Sequence, residues 1–208
     1  MAKIKTDILL HLSKDKKLKK VIDTHGAIDH NVDTDLYGSL LGSIVSQQLS
    51  VKAADTIWKR FVALFPGEDP KPELVIKMNV EKLRAVGLSY QKAGYIQNIA
   101  KFALEEGLDY KKLKKLKDDD LIEHLTQIKG VGKWTVQMIL MFTLGREDVF
   151  PEDDLGIQTA IKRLYGVNSE KKELKADMHK IAAKWIPYRT LACKYLWRHK
   201  DNTPLKKK

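Results

Sequence analysis

The chain has 208 residues, 38 Lys+Arg against 27 Asp+Glu, a formal net charge of +11 and a single cysteine. One cysteine excludes an internal disulfide, a cysteine-rich zinc site and a four-cysteine iron–sulfur cluster. The longest apolar run, Met138 to Phe142, is far too short to cross a bilayer as a helix. A hydrophobic content of 43% is that of an ordinary globular protein. The positive excess favours a polyanionic partner, nucleic acid first, although a solvated lysine face fits charge alone as well. The N-terminus, Met1-Ala2-Lys3-Ile4-Lys5-Thr6-Asp7, lacks the layout of a signal peptide. That predicts a cytoplasmic, nucleoid-associated protein, or a nuclear one in a eukaryote.

Residues 1–26 carry two short helical patterns and a lysine cluster from Lys14 to Lys20. Asp33-Thr34-Asp35 reads as a helix start, with Leu36, Leu40 and Ile44 following at four-residue spacing. That helix ends at Ser46-Gln47-Gln48-Leu49-Ser50, and Ser50 can cap the next, which carries Ile57, Phe61, Leu64 and Phe65. Residues 65–72, with three prolines and a glycine, are the clearest breaker. A short helix over 72–77 and another capped by Asn79 and stopped at Gly87 come next. Ser89 then opens a long helix with Ala93, Ile96, Ile99, Ala100 and Ala103 inside. Asp109 and Asp118 start two further short helices. Residues 136–144 form an apolar helix read as the centre of the core, and Pro151 pre-organises the next helix start. The last two helices carry Leu174, Met178, Ile181 and Trp185, then Leu191, Tyr195 and Leu196. Period-two alternation is almost absent, which predicts an all-α chain of roughly ten helices in a single domain over 1–208, residues 1–30 being a helical extension.

One stretch stands out: Ile128-Lys129-Gly130-Val131-Gly132-Lys133-Trp134-Thr135-Val136. It reads as a hairpin between two helices, spanning 126–136. Gly-Val-Gly lets the backbone take positive φ and approach a ligand closely. The amides of Val131, Gly132 and Lys133 would stand at a helix N-terminus, which suits a phosphate. Lys129 and Lys133 add mobile charge. Hairpin carbonyls, those of Thr126, Ile128 and Val131, can also hold a monovalent cation, Na+ or K+. Gly-x-Gly alone is equally a plain helix–helix turn. The longer pattern resembles the helix-hairpin-helix motif of DNA repair proteins.

Beyond the next helix lies Phe150-Pro151-Glu152-Asp153-Asp154-Leu155. A hairpin, a Gly/Pro-containing loop and an aspartate in this order resemble the helix-hairpin-helix DNA glycosylase superfamily. Gly132-Lys133-Trp134-Thr135 and residues 150–155 look most like its alkylbase branch, 3-methyladenine DNA glycosylase II. The resemblance spans residues 36–197. About thirty-five residues precede it, too few for the β-rich N-terminal domain of some relatives.

The resemblance implies two helical lobes with an active-site cleft between them, and Asp154 as the catalytic carboxylate. From the residues alone Asp153 and Asp154 both lie at the helix start and either can cap it; Asp153 is assigned the cap. Where relatives that cut the backbone have a lysine, this chain has Trp134, so no lyase step is implied. Trp134 and Tyr188 are the implied base-pocket aromatics, Trp134 stacking on a cationic base; as a structural residue it would pack in the hairpin. Gln48 and Leu49 are the implied wedge that fills the gap left by a flipped nucleotide. Ser89 and Lys92 are implied phosphate contacts, although Gly87 and Ser89 also serve as ordinary helix stop and cap. The six histidines, His11, His25, His30, His124, His179 and His199, show no metal-ligand spacing, so no side-chain metal site and no cofactor is expected. The implied protein is a monomeric, monofunctional glycosylase that removes alkylated purines from double-stranded DNA, without a membrane partner. The alternative is a non-catalytic helix-hairpin-helix protein that binds damaged or distorted DNA. Cys193 reads as a small buried hydrophobe.

Overall fold

A computed structural model of the chain describes residues 6–28 and 32–202. His30 and the tail over 204–208 lie outside the described residues, as does part of the extension over 1–30. Among the described residues there are thirteen α-helices and no strand, and no helix is long and apolar enough to cross a membrane. The chain forms two compact units. One runs from 33 to 144; the other combines 1–32 with 145–208.

The 33–144 unit holds α3 (Leu36–Ser46), α4 (Val51–Val62), α5 (Pro72–Val75), α6 (Val80–Ala85), α7 (Tyr90–Glu105), α8 (Tyr110–Leu113), α9 (Asp118–Thr126) and α10 (Lys133–Met138). Its starts follow local chemistry. Asp35, Ser50, Asn79, Ser89 and Asp109 each cap the following helix by accepting a backbone N–H. α7 is the hub, packing on α3, α5 and α6. Its buried face combines small and branched residues, Ala93, Ile96, Ile99 and Ala100.

α10 continues as a π-turn over 139–143, where the Leu144 amide reaches back five residues to the Ile139 carbonyl at 2.9 Å. The extended helix packs on α9 and α3 rather than at the hub. Val136, Ile139, Leu140 and Met141 are buried, but Trp134 and Phe142, both 38% exposed, lie with half-buried Met138 on one i, i+4, i+8 stripe. The helix is therefore buried on one side only, not at the centre of the core as its apolar composition suggests.

The second unit holds α1 (Thr6–Leu12), α2 (Lys16–His25), α11 (Leu155–Tyr165), α12 (Lys171–Ala182) and α13 (Arg189–Asn202). α13 packs against both α11 and α2. Asp15 caps α2 and is buried, accepting N–H groups of Lys17 and Leu18, the Tyr165 hydroxyl at 2.8 Å and the Trp185 indole at 3.2 Å. Trp185, read from the sequence as stripe filler, is thus also a polar tie. Burial opposes ionisation of Asp15, yet the four donated bonds outweigh it and hold its pKa below the ordinary carboxylate value. Pro151 does not open a helix: α11 begins at Leu155, because 150–154 form a turn in which the Asp154 amide donates to the Pro151 carbonyl at 3.0 Å.

Candidate nucleic-acid interface and carboxylate

In the hairpin, the two glycines do different things. Gly130 has φ +107°, and a Cβ there would lie 2.2 Å from Cγ of the Tyr95 ring. Only glycine fits both the torsion and the ring. Gly132 has φ −98° and ψ 170°, open to any residue, and no described atom lies within 4 Å of its hypothetical Cβ. It is the exposed N-cap of α10 and, being glycine, brings no capping side chain of its own. A side chain at Gly132 would stand in open space, so a ligand can approach the start of α10 there.

Val131 is a correction. Its amide closes the turn onto the Ile128 carbonyl at 2.9 Å and its side chain is buried. It therefore shapes the hairpin and does not face outward as a donor. Asn98 Nδ2 ties the Lys129 carbonyl to α7 at 3.1 Å, while the Lys129 and Lys133 residues are exposed. Tyr95 and Asn98 carry no motif; only the packing reveals them.

Two other loops of this unit bear on the expected sites. Gln48 has φ +58° and is exposed, followed by Leu49, 39% exposed, whose amide donates to the Ser46 carbonyl at 3.1 Å. An exposed non-glycine residue at positive φ followed by an exposed leucine is the protruding geometry a wedge needs. Ser89 is exposed and engaged as the α7 cap, accepting the Lys92 amide. Lys92 departs from the phosphate role. Its ammonium donates to the Val45 and Gln47 carbonyls at 2.8 and 2.7 Å, tying down the C-terminus of α3, and burial lowers its pKa. It anchors the Gln48–Leu49 loop.

In the second unit the acidic turn is held residue by residue. Phe150 packs edge-on against His179 and Trp185. Glu152 contacts His179 Nε2 at 2.6 Å, and its carbonyl accepts Gln158 Nε2. Asp153 pairs with Lys175 at 2.5 Å. The cap is Asp154, not Asp153. Asp154 Oδ1 accepts the Ile157 amide and the Trp197 indole N–H, each at 2.8 Å. Asp153 lies one residue before the cap position and pairs with Lys175 of α12 instead. Tyr188 is half-buried, edge-on to His11 with centroids 5.4 Å apart. Cys193 is fully buried; burial and the nearby Asp154 charge push its thiol pKa far up, so it is an inert core residue. Among the described residues no cluster of His, Cys, Asp and Glu could ligate a metal ion.

An all-helical chain with this hairpin and an aspartate heading the helix beyond it has known counterparts. Residues 41–186 match the model of the HhH-GPD superfamily of base excision DNA repair proteins, and the chain belongs to that family. It is 36% identical to DNA-3-methyladenine glycosylase 1 of Schizosaccharomyces pombe, over 88% of this chain and 80% of that protein. It is 35% identical to the putative DNA-3-methyladenine glycosylase YfjP of Bacillus subtilis, over 92% of this chain and 68% of that one. Its fold superimposes on a solved S. pombe 3-methyladenine DNA glycosylase in complex with abasic DNA. There the TM-score is 0.87 at 33% identity, covering 97% of this chain and all of the other.

Proposed function

We propose that this protein is a monofunctional DNA glycosylase that excises alkylated purines, of the 3-methyladenine and 7-methylguanine type, from double-stranded DNA. The observation that carries the reading is Asp154, a carboxylate at a helix N-terminus gripped on one oxygen by two neutral N–H donors. The names of its relatives point to 3-methyladenine.

Breaking the base–sugar bond sends the electron pair to the base and leaves oxocarbenium character on the sugar. Asp154 stabilises that cation and orients the water that adds to it, the water's proton passing to solvent. An N-alkylated purine is already cationic, so it departs neutral without a strong general acid. Trp134 supplies an aromatic face for the charged base, an attraction of about 1–2 kcal/mol, and, standing where a lyase has lysine, forms no Schiff base. The α10 first turn with Lys129 and Lys133 holds the DNA backbone, contacts that position without reading sequence. Gln48 and Leu49 fill the space of the extruded nucleotide. The Thr126, Ile128 and Val131 carbonyls would hold a monovalent cation, which would add positive charge for the DNA backbone; the Ile128 oxygen still has a second lone pair for it beyond the Val131 N–H. The reaction as written needs no cofactor.

The test is release of radiolabelled methyl bases from alkylated duplex DNA. Release by the wild type, lost in Asp154→Asn with abasic-site affinity retained, is expected. DNA binding without release would return the protein to the non-catalytic alternative. Borohydride is expected not to trap the protein on DNA.

A further inference from the structure

Asp154 needs no tryptophan to cap α11; the Ile157 amide suffices. The second donor comes from Trp197, forty-three residues on, on another helix. A cap bond alone leaves the carboxylate free to twist about its Cβ–Cγ bond. Two donors at 2.8 Å on the same oxygen fix that twist.

Gly156 gives independent support. Its backbone is helical and demands no special torsion. Helix formation would favour alanine. Yet a Cβ there would lie 2.9 Å from Asp154 Oδ1, 3.0 Å from Trp197 Cδ1 and 3.1 Å from Trp197 Nε1. Glycine leaves the gap through which the indole reaches the carboxylate.

We infer that Trp197 is a positioning residue for Asp154, its indole N–H setting the orientation of the carboxylate, with Gly156 admitting the ring. The inference rests on Asp154 being the catalytic carboxylate. Orientation matters because charge stabilisation depends on donors and charges preorganised before the transition state forms.

The test uses the full-length protein and two DNA ligands: duplexes carrying a neutral tetrahydrofuran abasic analogue or a cationic pyrrolidine analogue that mimics the oxocarbenium ion. The ratio of the two affinities reads the field of an oriented carboxylate, which a loss of packing alone does not change. Trp197→Phe is expected to slow single-turnover base release by roughly tenfold or more. It should cut the cationic preference in proportion and leave tetrahydrofuran-DNA affinity unchanged. In the Asp154→Asn background it should change neither readout further. Should Trp197→Phe fail to fold, two variants keep the test: the benzothienyl isostere of tryptophan at 197, which lacks only the N–H, and Gly156→Ala, which displaces the ring. An unaltered rate in the isostere overturns the inference. So does a slower rate with the cationic preference intact, since that marks a packing role. Full activity in Asp154→Asn overturns the underlying assignment instead, and the inference with it.

Discussion

Gly130→Ala should damage the fold, and Gly132→Ala should damage binding. At Gly130 a side chain meets two penalties. A non-glycine residue at φ +107° is strained by about 1–3 kcal/mol. The Cβ also lies 2.2–2.6 Å from three Tyr95 ring atoms, so the ring must move and lose part of its packing, about 1–2 kcal/mol more, together with its bond from Gln91 Nε2 at 2.6 Å. The sum, about 2–5 kcal/mol, is a large share of a typical stability. For a chain of this size it lowers Tm by roughly 4–20 °C. Gly132→Ala meets open space at an ordinary torsion, so its Tm should stay within about 2 °C. Its methyl group stands before the α10 N-terminus and should weaken DNA binding several-fold. Scanning calorimetry and fluorescence-anisotropy titrations measure both. Tyr95→Ala in the Gly130→Ala background should recover the steric part of the loss and not the torsional part. If Gly130→Ala melts with the wild type, or if Gly132→Ala lowers Tm as much as Gly130→Ala does, the division of labour between the two glycines is wrong.

Asp15→Asn keeps an acceptor but turns an amide toward N–H and O–H donors, and should cost about 2–4 kcal/mol by denaturant melts. Because the Asp15 pKa is depressed in the fold, its contribution is present above the unfolded value of about 4 and lost as pH falls through the folded one. The wild-type advantage over Asp15→Asn should therefore shrink below about pH 4. Lys92→Met should lower stability by about 1–3 kcal/mol through two unanswered carbonyls and speed hydrogen exchange at Leu49. It should leave the salt dependence of DNA binding unchanged, whereas a shallower slope would restore the phosphate role. Lys129→Gln should do the opposite, reducing the slope of log affinity against log salt by about one with Tm preserved.

What the sequence made legible was local. Ser50, Asn79, Ser89 and Asp109 cap helices because a short side chain meets an amide two or three positions on, and both lie within one turn. The hairpin and the acidic turn were readable for the same reason. Contacts made across the fold were not. Nothing near Lys92 in sequence announces the α3 carbonyls, forty-five and forty-seven residues before it. Gly130 advertises flexibility, but the demand on it comes from Tyr95. The π-turn in 139–143 leaves no trace in an apolar run, where helix and π-turn share one composition. Asp153 and Asp154 have the same intrinsic capping ability, and the choice between them falls to Lys175 and Trp197, each supplied by another helix.

That choice also bears on chemistry. Glu152, Asp153 and Asp154 are three consecutive acids held by different sets of contacts. Glu152 meets the His179 imidazole and, at 3.9 Å, the Lys175 ammonium that pairs closely with Asp153. A carboxylate beside a cation has much of its field cancelled before a reacting sugar develops charge. The two groups gripping Asp154 Oδ1 are neutral N–H donors. Neither donor carries a formal charge, and both orient the carboxylate, which helps to stabilise a transient cation. The partners on α12 and α13 therefore do more than pin a turn. Lys175 and His179 hold Asp153 and Glu152, and Asp154 takes the start of α11.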